Sequence, residues 1–107
     1  LHSCGRYEDV IGDIIGDIGY DARHSYEDNI VPVEKAYKDL FPHIAVLGGI
    51  DVNFLATGEK EEIKKRCEDM LELTLNTGGY ALGSGNSIPS YVPADHYFAM
   101  IQTALNT

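Results

Sequence analysis

Ile44-Ala45-Val46-Leu47-Gly48-Gly49-Ile50-Asp51 is the stretch that decides the fold. Four apolar residues run without alternation between Pro42 and a glycine pair, too short a span for a helix. A continuous apolar run of that length predicts a strand buried on both faces, as in a parallel sheet covered by helices. It ends on a polar residue, Asp51, immediately past the glycines.

On the amino-terminal side, Val33, Ala36, Tyr37, Leu40 and Phe41 repeat at helical spacing after Pro32, which suits a first turn, and Pro42 ends the pattern. Gly19 to Ser25 is short and predicts a strand, with Tyr26–Ile30 as the following loop. Tyr7, Val10, Ile11, Ile14, Ile15 and Ile18 form one face of an earlier helix stopped by Gly19, and Leu1–Cys4 predicts a strand end before it.

On the carboxyl side, Val52–Ala56 predicts a short turn. Thr57 is then the expected N-cap of a helix with acidic residues in its first turn and a stripe of Ile63, Cys67, Met70, Leu71 and Leu75. After Gly78-Gly79, Tyr80–Leu82 predicts a last strand and residues 83–87 a glycine-rich loop. Pro93 opens a final helix with Tyr97, Met100, Ile101, Ala104 and Leu105 inward. The order is βαβαβαβα with short connections, which implies an α/β fold with parallel strands and right-handed crossovers. Four such units make either a small open sheet or half of an eight-fold barrel.

The chain has 107 residues, room for at most one domain, and its 44% hydrophobic and 23% charged content is ordinary for a globular protein. A net charge of −9 excludes a phosphate-backbone partner such as nucleic acid, and no apolar run is long enough to cross a membrane. Two cysteines make no disulfide framework, and Cys67 belongs to a helix core, so a reducing cytoplasm is expected. The chain opens without Met, inside a strand, so a fragment of a larger protein is expected.

Polar residues collect just past the carboxyl ends of the predicted strands: His2 and Cys4, then Ser25, then Asp51, then Ser84 with Asn86. In parallel α/β proteins that rim carries the ligand site. His2 and Cys4 share one side of a strand because side chains alternate, and an imidazole beside a thiolate suits Zn²⁺; the plainer alternative is an inward His and a small buried Cys. Asp51 reads as a group that orients substrate or acts as a general base, or as the N-cap of the turn after it. Ser25, Ser84 and Asn86 are the candidate substrate contacts. His24, His43 and His96 read as surface or helix-end residues. The loop at Gly83-Ser84-Gly85 meets neither the GxSxG pattern of hydrolases nor a P-loop.

Taken in order, His2-Ser3-Cys4-Gly5, Gly48-Gly49-Ile50-Asp51, Thr57-Gly58-Glu59-Lys60-Glu61-Glu62-Ile63, Gly78-Gly79-Tyr80-Ala81-Leu82-Gly83-Ser84-Gly85 and Val92-Pro93-Ala94-Asp95-His96 resemble the C-terminal half of the uroporphyrinogen decarboxylase superfamily, which also contains the corrinoid-dependent methyltransferases. The resemblance spans essentially the whole chain. It implies a TIM barrel of which residues 1–107 are one partial domain, the last four βα units.

It also implies two different chemistries. In the methyltransferases, His2 and Cys4 match two zinc ligands that activate a thiol acceptor or a methyl donor, and a corrinoid carried by a partner protein exchanges the methyl group. Their third protein ligand is a Cys in the last loop, where this chain has Ser84. In the decarboxylases, which act on the acetate groups of a porphyrin precursor, that loop carries a His, also replaced by Ser84; their catalytic Asp and Tyr belong to the other half of the barrel. Of the cations near the rim this half offers only Arg6 and Arg23 to a polycarboxylate. A third possibility is a non-catalytic half-barrel that binds small molecules or assembles. A half-barrel leaves two sheet edges open, so a homo-oligomer is expected.

Overall fold

The computed structural model describes residues 1–105. Three short strands, β1 (Ala22–Arg23), β2 (Ala45–Leu47) and β3 (Tyr80–Ala81), form a parallel sheet in sequence order. The register pairs Arg23 with Val46 and Val46 with Tyr80. Residues 1–3 run alongside β1 as a single parallel bridge, His2 to His24, held by Ser3 N–H to the His24 carbonyl at 2.7 Å and His24 N–H to the Leu1 carbonyl at 2.8 Å. A second bridge, Ile50 to Ser84, continues the pairing past the ends of β2 and β3.

Pleating sorts the sheet's two faces. Arg23, Val46 and Tyr80 share the face under the helices, where Arg23 and Val46 are fully buried. Leu47 and Ala81, with His24 one residue past β1, share the opposite face, which lines an open hollow of about 560 Å³. The run Ile44–Leu47 is therefore sealed on one face, where it was expected to be buried on both.

Helix α1 (Val33–Leu40) buries Val33, Ala36, Tyr37 and Leu40, as its pattern predicts. Its N-cap is Pro32, which lies one residue before the first turn. Helix α2 (Val52–Thr57) is capped by Asp51, and α3 (Lys60–Thr74) by a reciprocal capping box between Glu59 and Glu62. Thr57 is thus not the cap of α3. It ends α2, with its hydroxyl bonded back to the Asn53 carbonyl at 2.8 Å.

The buried stripe of α3 is Ile63, Cys67, Met70 and Thr74; Leu75 lies past the helix and is 76% exposed. In α4 (Ala94–Leu105) the buried residues are Ala99, Met100 and Thr103, a stripe rotated from the expected one, and Leu105 points outward. The two helices pack on each other around a core of Ile50, Leu55, Ile63, Cys67, Val92, Ala99 and Met100.

The first helix departs most from expectation. Regular helical backbone begins only at Ile11 and widens to a π-helix over Asp13–Ile18, closed by Gly19 at φ +82°. Of the six apolar residues in its pattern, Tyr7 and Ile14 are buried while Val10 and Ile18 are exposed. Gly12 and Gly16 weaken helical propensity, and no i→i−4 ladder fixes Tyr7 to Val10. Tyr7 is instead held by packing, with its ring under the Arg23 guanidinium at 3.9 Å and edge-on to Tyr26.

Candidate functional site

The strand ends place four of the rim side chains in one connected group. His2 Nδ1 lies 2.7 Å from His24 Nδ1, and His24 Nε2 lies 2.9 Å from the Ser84 carbonyl oxygen. On the other side of its ring, His2 Nε2 faces Cys4 Sγ at 3.6 Å. The Asn86 amide donates from Nδ2 to Cys4 Sγ at 3.3 Å, its orientation fixed because Oδ1 accepts from Ser87 N–H at 2.8 Å. The Ser84 hydroxyl donates to the Asn86 carbonyl at 2.6 Å, tightening the loop that carries both.

Gly48 makes this closeness possible. It adopts φ +77°, and a Cβ built there would fall 2.4 Å from the Ser84 carbonyl oxygen and 2.9 Å from His24 Cδ2. Only glycine leaves room for His24 to reach Ser84.

The expected site residues are not all in this group. Ser84 lines the hollow that holds His2 and His24, whereas Asp51 and Asn86 line a second cavity of about 300 Å³ across the loop. Asp51 is committed to backbone: Oδ2 accepts from Asn53 and Phe54 N–H at the start of α2, and Oδ1 accepts from Asp28 N–H at 3.0 Å. Ser25 lines neither cavity; it is buried, and its hydroxyl is without a hydrogen-bond partner, as are Arg23 Nε and the Tyr26 hydroxyl.

Arg23, expected near the rim, is fully buried between the Tyr7 and Tyr26 rings and donates to the Ser3 and Ser25 carbonyls. Burial, and then the nearby Tyr26, push the Tyr7 hydroxyl up to about 12. Cys67 is a core residue as expected, and burial raises its thiol to about 11, which leaves it protonated and unreactive. His96 bonds the Leu55 carbonyl from a helix end, and His43 is exposed.

His24 is the residue that sequence reasoning misplaced. It carries its ring on the face of β1 opposite to Arg23 and Ser25, so period-two alternation favours it over Ser25 as the rim residue. The signal was the apolar-facing demand of Arg23, not visible without its Tyr partners.

Below the rim, Arg66 of α3 holds Asp28 through two bonds of 2.7 Å and Glu34 through two of 3.0 Å. Together with the Asp51–Asp28 bond, this ties the loop after β1 to α1, α2 and α3. Burial alone would raise Glu34, but its bonds to Arg66 outweigh that and hold it below the usual carboxylate range.

A profile of the uroporphyrinogen decarboxylase (URO-D) family matches residues 1–106. The chain belongs to the uroporphyrinogen decarboxylase family. No curated protein matches it. Among solved structures, a methyltransferase from Methanosarcina mazei superposes on 99% of this URO-D chain with a TM-score of 0.72 and 23% sequence identity. The chain spans 30% of that methyltransferase. The likeness carries the fold, an α/β arrangement with a parallel sheet that is compatible with part of a TIM barrel.

Among the described residues, no group of three or more His, Cys, Asp or Glu side chains is arranged to hold a metal ion. His2, Cys4 and His24 fail as a triad because His2 turns different nitrogens to the other two. No helix of the described residues is long and apolar enough to cross a membrane.

Proposed function

We propose that this chain is the C-terminal half-barrel, four βα units, of a corrinoid-dependent methyltransferase, with His2 and Cys4 as two ligands of a zinc ion. One separation carries the reading. Tetrahedral zinc with its usual Zn–N and Zn–S distances puts the two ligand atoms about 3.5 Å apart. His2 Nε2 and Cys4 Sγ are 3.6 Å apart, with Asn86 donating to the sulfur as it would to a thiolate. The two ligands fit the ion as a pair. Ser84 offers only a hydroxyl where relatives have Cys, so the remaining positions fall to groups outside residues 1–105 or to the substrate.

Zinc at that place supplies Lewis-acid activation of a thiol or of a methylated oxygen. The chain's own residues do the rest. Asn86 steadies the thiolate of Cys4 and shapes the wall between the two cavities. Ser84 presents its carbonyl to His24 and braces the loop. Asp51 builds the rim by fixing α2 and the Asp28 loop, a role in orienting substrate through the frame it holds rather than in taking a proton. The open face of the sheet is the inner surface of the closed barrel, and the methyl donor or acceptor enters there, where a corrinoid protein docks. Ser25, set below that face, acts through packing. Two unpaired cysteines suit a cytoplasmic protein. As an isolated piece the chain pairs with a second copy through its sheet edges.

The decarboxylase reading loses support from Arg23. With that guanidinium buried, Arg6 alone remains of the two cations expected to meet a porphyrin's carboxylates.

Metal analysis of the longest natural form of the protein, purified from zinc-supplemented medium beside its Cys4→Ser variant, tests the reading. About one zinc per chain that disappears in the variant is the expected result. Equal zinc in both, or none in either, overturns it.

A further inference from the structure

We propose that His24 is a positioning residue that fixes His2 as its Nδ1–H tautomer, leaving the Nε2 lone pair aimed at Cys4. The argument starts from an atom that cannot change its role. The Ser84 carbonyl oxygen only accepts hydrogen bonds, so His24 Nε2, 2.9 Å away, carries a hydrogen. When the ring carries a single N–H, that hydrogen sits on Nε2 and His24 Nδ1 is the acceptor. Its partner at 2.7 Å, His2 Nδ1, is then the donor. That leaves His2 Nε2 without a hydrogen, facing the Cys4 sulfur at 3.6 Å. A backbone carbonyl past the end of β3 thereby sets the state of a side chain in the bridge beside β1, through one intervening ring.

The geometry around the relay allows no easy substitute. The two imidazoles lie with centroids 4.8 Å apart and planes tilted by 36°, a contact that holds both rings in place. Gly48 supplies the space against His24. Metal-binding histidines commonly donate their second N–H to an oxygen acceptor, which fixes tautomer and orientation. Here a histidine nitrogen takes that acceptor's place, and the sequence position of His24, on the strand next to His2, is what permits it.

The consequence for metal affinity rests on the zinc reading above; the tautomer assignment does not. The experiment therefore has two readouts. Long-range nitrogen–carbon NMR of the histidine rings in the metal-free chain reads the tautomers directly. His2 as the Nδ1–H form and His24 as the Nε2–H form is the expected result, and the opposite assignment overturns the proposal.

In His24→Phe, which keeps a ring but no nitrogen, His2 should shift toward its Nε2–H form. In His24→Asn, whose side-chain oxygen can stand where Nδ1 stood, the Nδ1–H form should return. A His2 spectrum unmoved by His24→Phe overturns the proposal even if the variant is less stable.

Zinc titration of the longest natural form of the protein supplies the second readout: its His24→Phe variant is expected to bind about 10- to 100-fold more weakly than the parent, with Asn recovering most of the loss. Equal zinc binding by parent and Phe variant overturns the positioning role. A parent that binds no zinc overturns the function proposed above, while the NMR result stands on its own.

Discussion

Replacing Gly48 with Ala tests how tightly the rim is built. Gly48 sits at φ +77°, and the added Cβ would stand 2.4 Å from the Ser84 carbonyl oxygen and 2.9 Å from His24 Cδ2. The backbone conformation alone costs an L-residue about 1–2 kcal/mol. To restore ordinary contact the Ser84 carbonyl must retreat by about 1 Å, because close-packed backbone atoms do not compress. That retreat breaks its bonds to His24 Nε2 and to Gly49 N–H, each worth about 0.5–1.5 kcal/mol net. The expected total is about 2–5 kcal/mol, or a fall in Tm of about 10–25 °C for a domain of this size.

Gly78→Ala is the matched comparison. Gly78 has φ +72° after α3, and a Cβ there meets nothing within 4 Å, so it carries only the backbone cost. Urea unfolding of the parent and both variants, followed by circular dichroism, measures the difference. Gly48→Ala should lose at least about 1 kcal/mol more than Gly78→Ala, and its His24 ring should lose the Nε2–H signature. Equal losses in the two variants would refute the claim that Gly48 is glycine for the sake of the His24–Ser84 contact.

Ser25→Ala should leave stability unchanged or raise it by about 1 kcal/mol, since it removes a buried hydroxyl without a partner; a loss above about 1 kcal/mol in urea unfolding would show that the hydroxyl is bonded after all. Arg66→Met should cost about 2 kcal/mol at neutral pH by leaving Asp28 and Glu34 without their shared cation, measured the same way. The acid dependence follows from Glu34, whose folded pKa is held below its usual 4.5. A depressed folded value stabilises the protein above the unfolded pKa, and that stability is lost as pH falls through the folded value. The parent should therefore lose stability more steeply than Arg66→Met between about pH 5 and pH 3, so that the gap between them narrows; a constant gap across unfolding midpoints refutes the pairing. Asp51→Ala should cost about 1–3 kcal/mol through the lost cap of α2 and the freed Asp28 N–H, with Asp51→Asn recovering part of it; urea unfolding measures both, and an unchanged midpoint in Asp51→Ala would refute the framing role.

Residues whose environment is local were the ones that sequence made legible. The Val33, Ala36, Tyr37, Leu40 pattern places α1 because one helix face meets one core, and nothing distant alters it. Ile44–Leu47 reads as a strand for the same reason, since Pro42 and Gly48-Gly49 bound it from both sides. Cys67 is a core residue because the helix period puts it between Ile63 and Met70. Boundaries failed where two solutions compete over a few residues: Thr57 is a good cap in isolation, but Asp51 starts a helix six residues earlier and Glu59 with Glu62 opens the next one. The segment from Tyr7 to Ile18 failed because its apolar spacing suits a regular helix while its glycines permit a wider one.

The site itself turns on a parity that composition does not carry. Arg23 at the end of a short strand reads as a rim cation, and Ser25 as a rim hydroxyl, until the aromatic faces of Tyr7 and Tyr26 claim the guanidinium for the helix side of the sheet. An arginine laid against two rings and bonded to two carbonyls is held where a bare cation could not be. Once Arg23 faces inward, alternation turns His24 outward, onto the same surface as His2 and within reach of Ser84. The buried cation thus selects which neighbour becomes available to the rim.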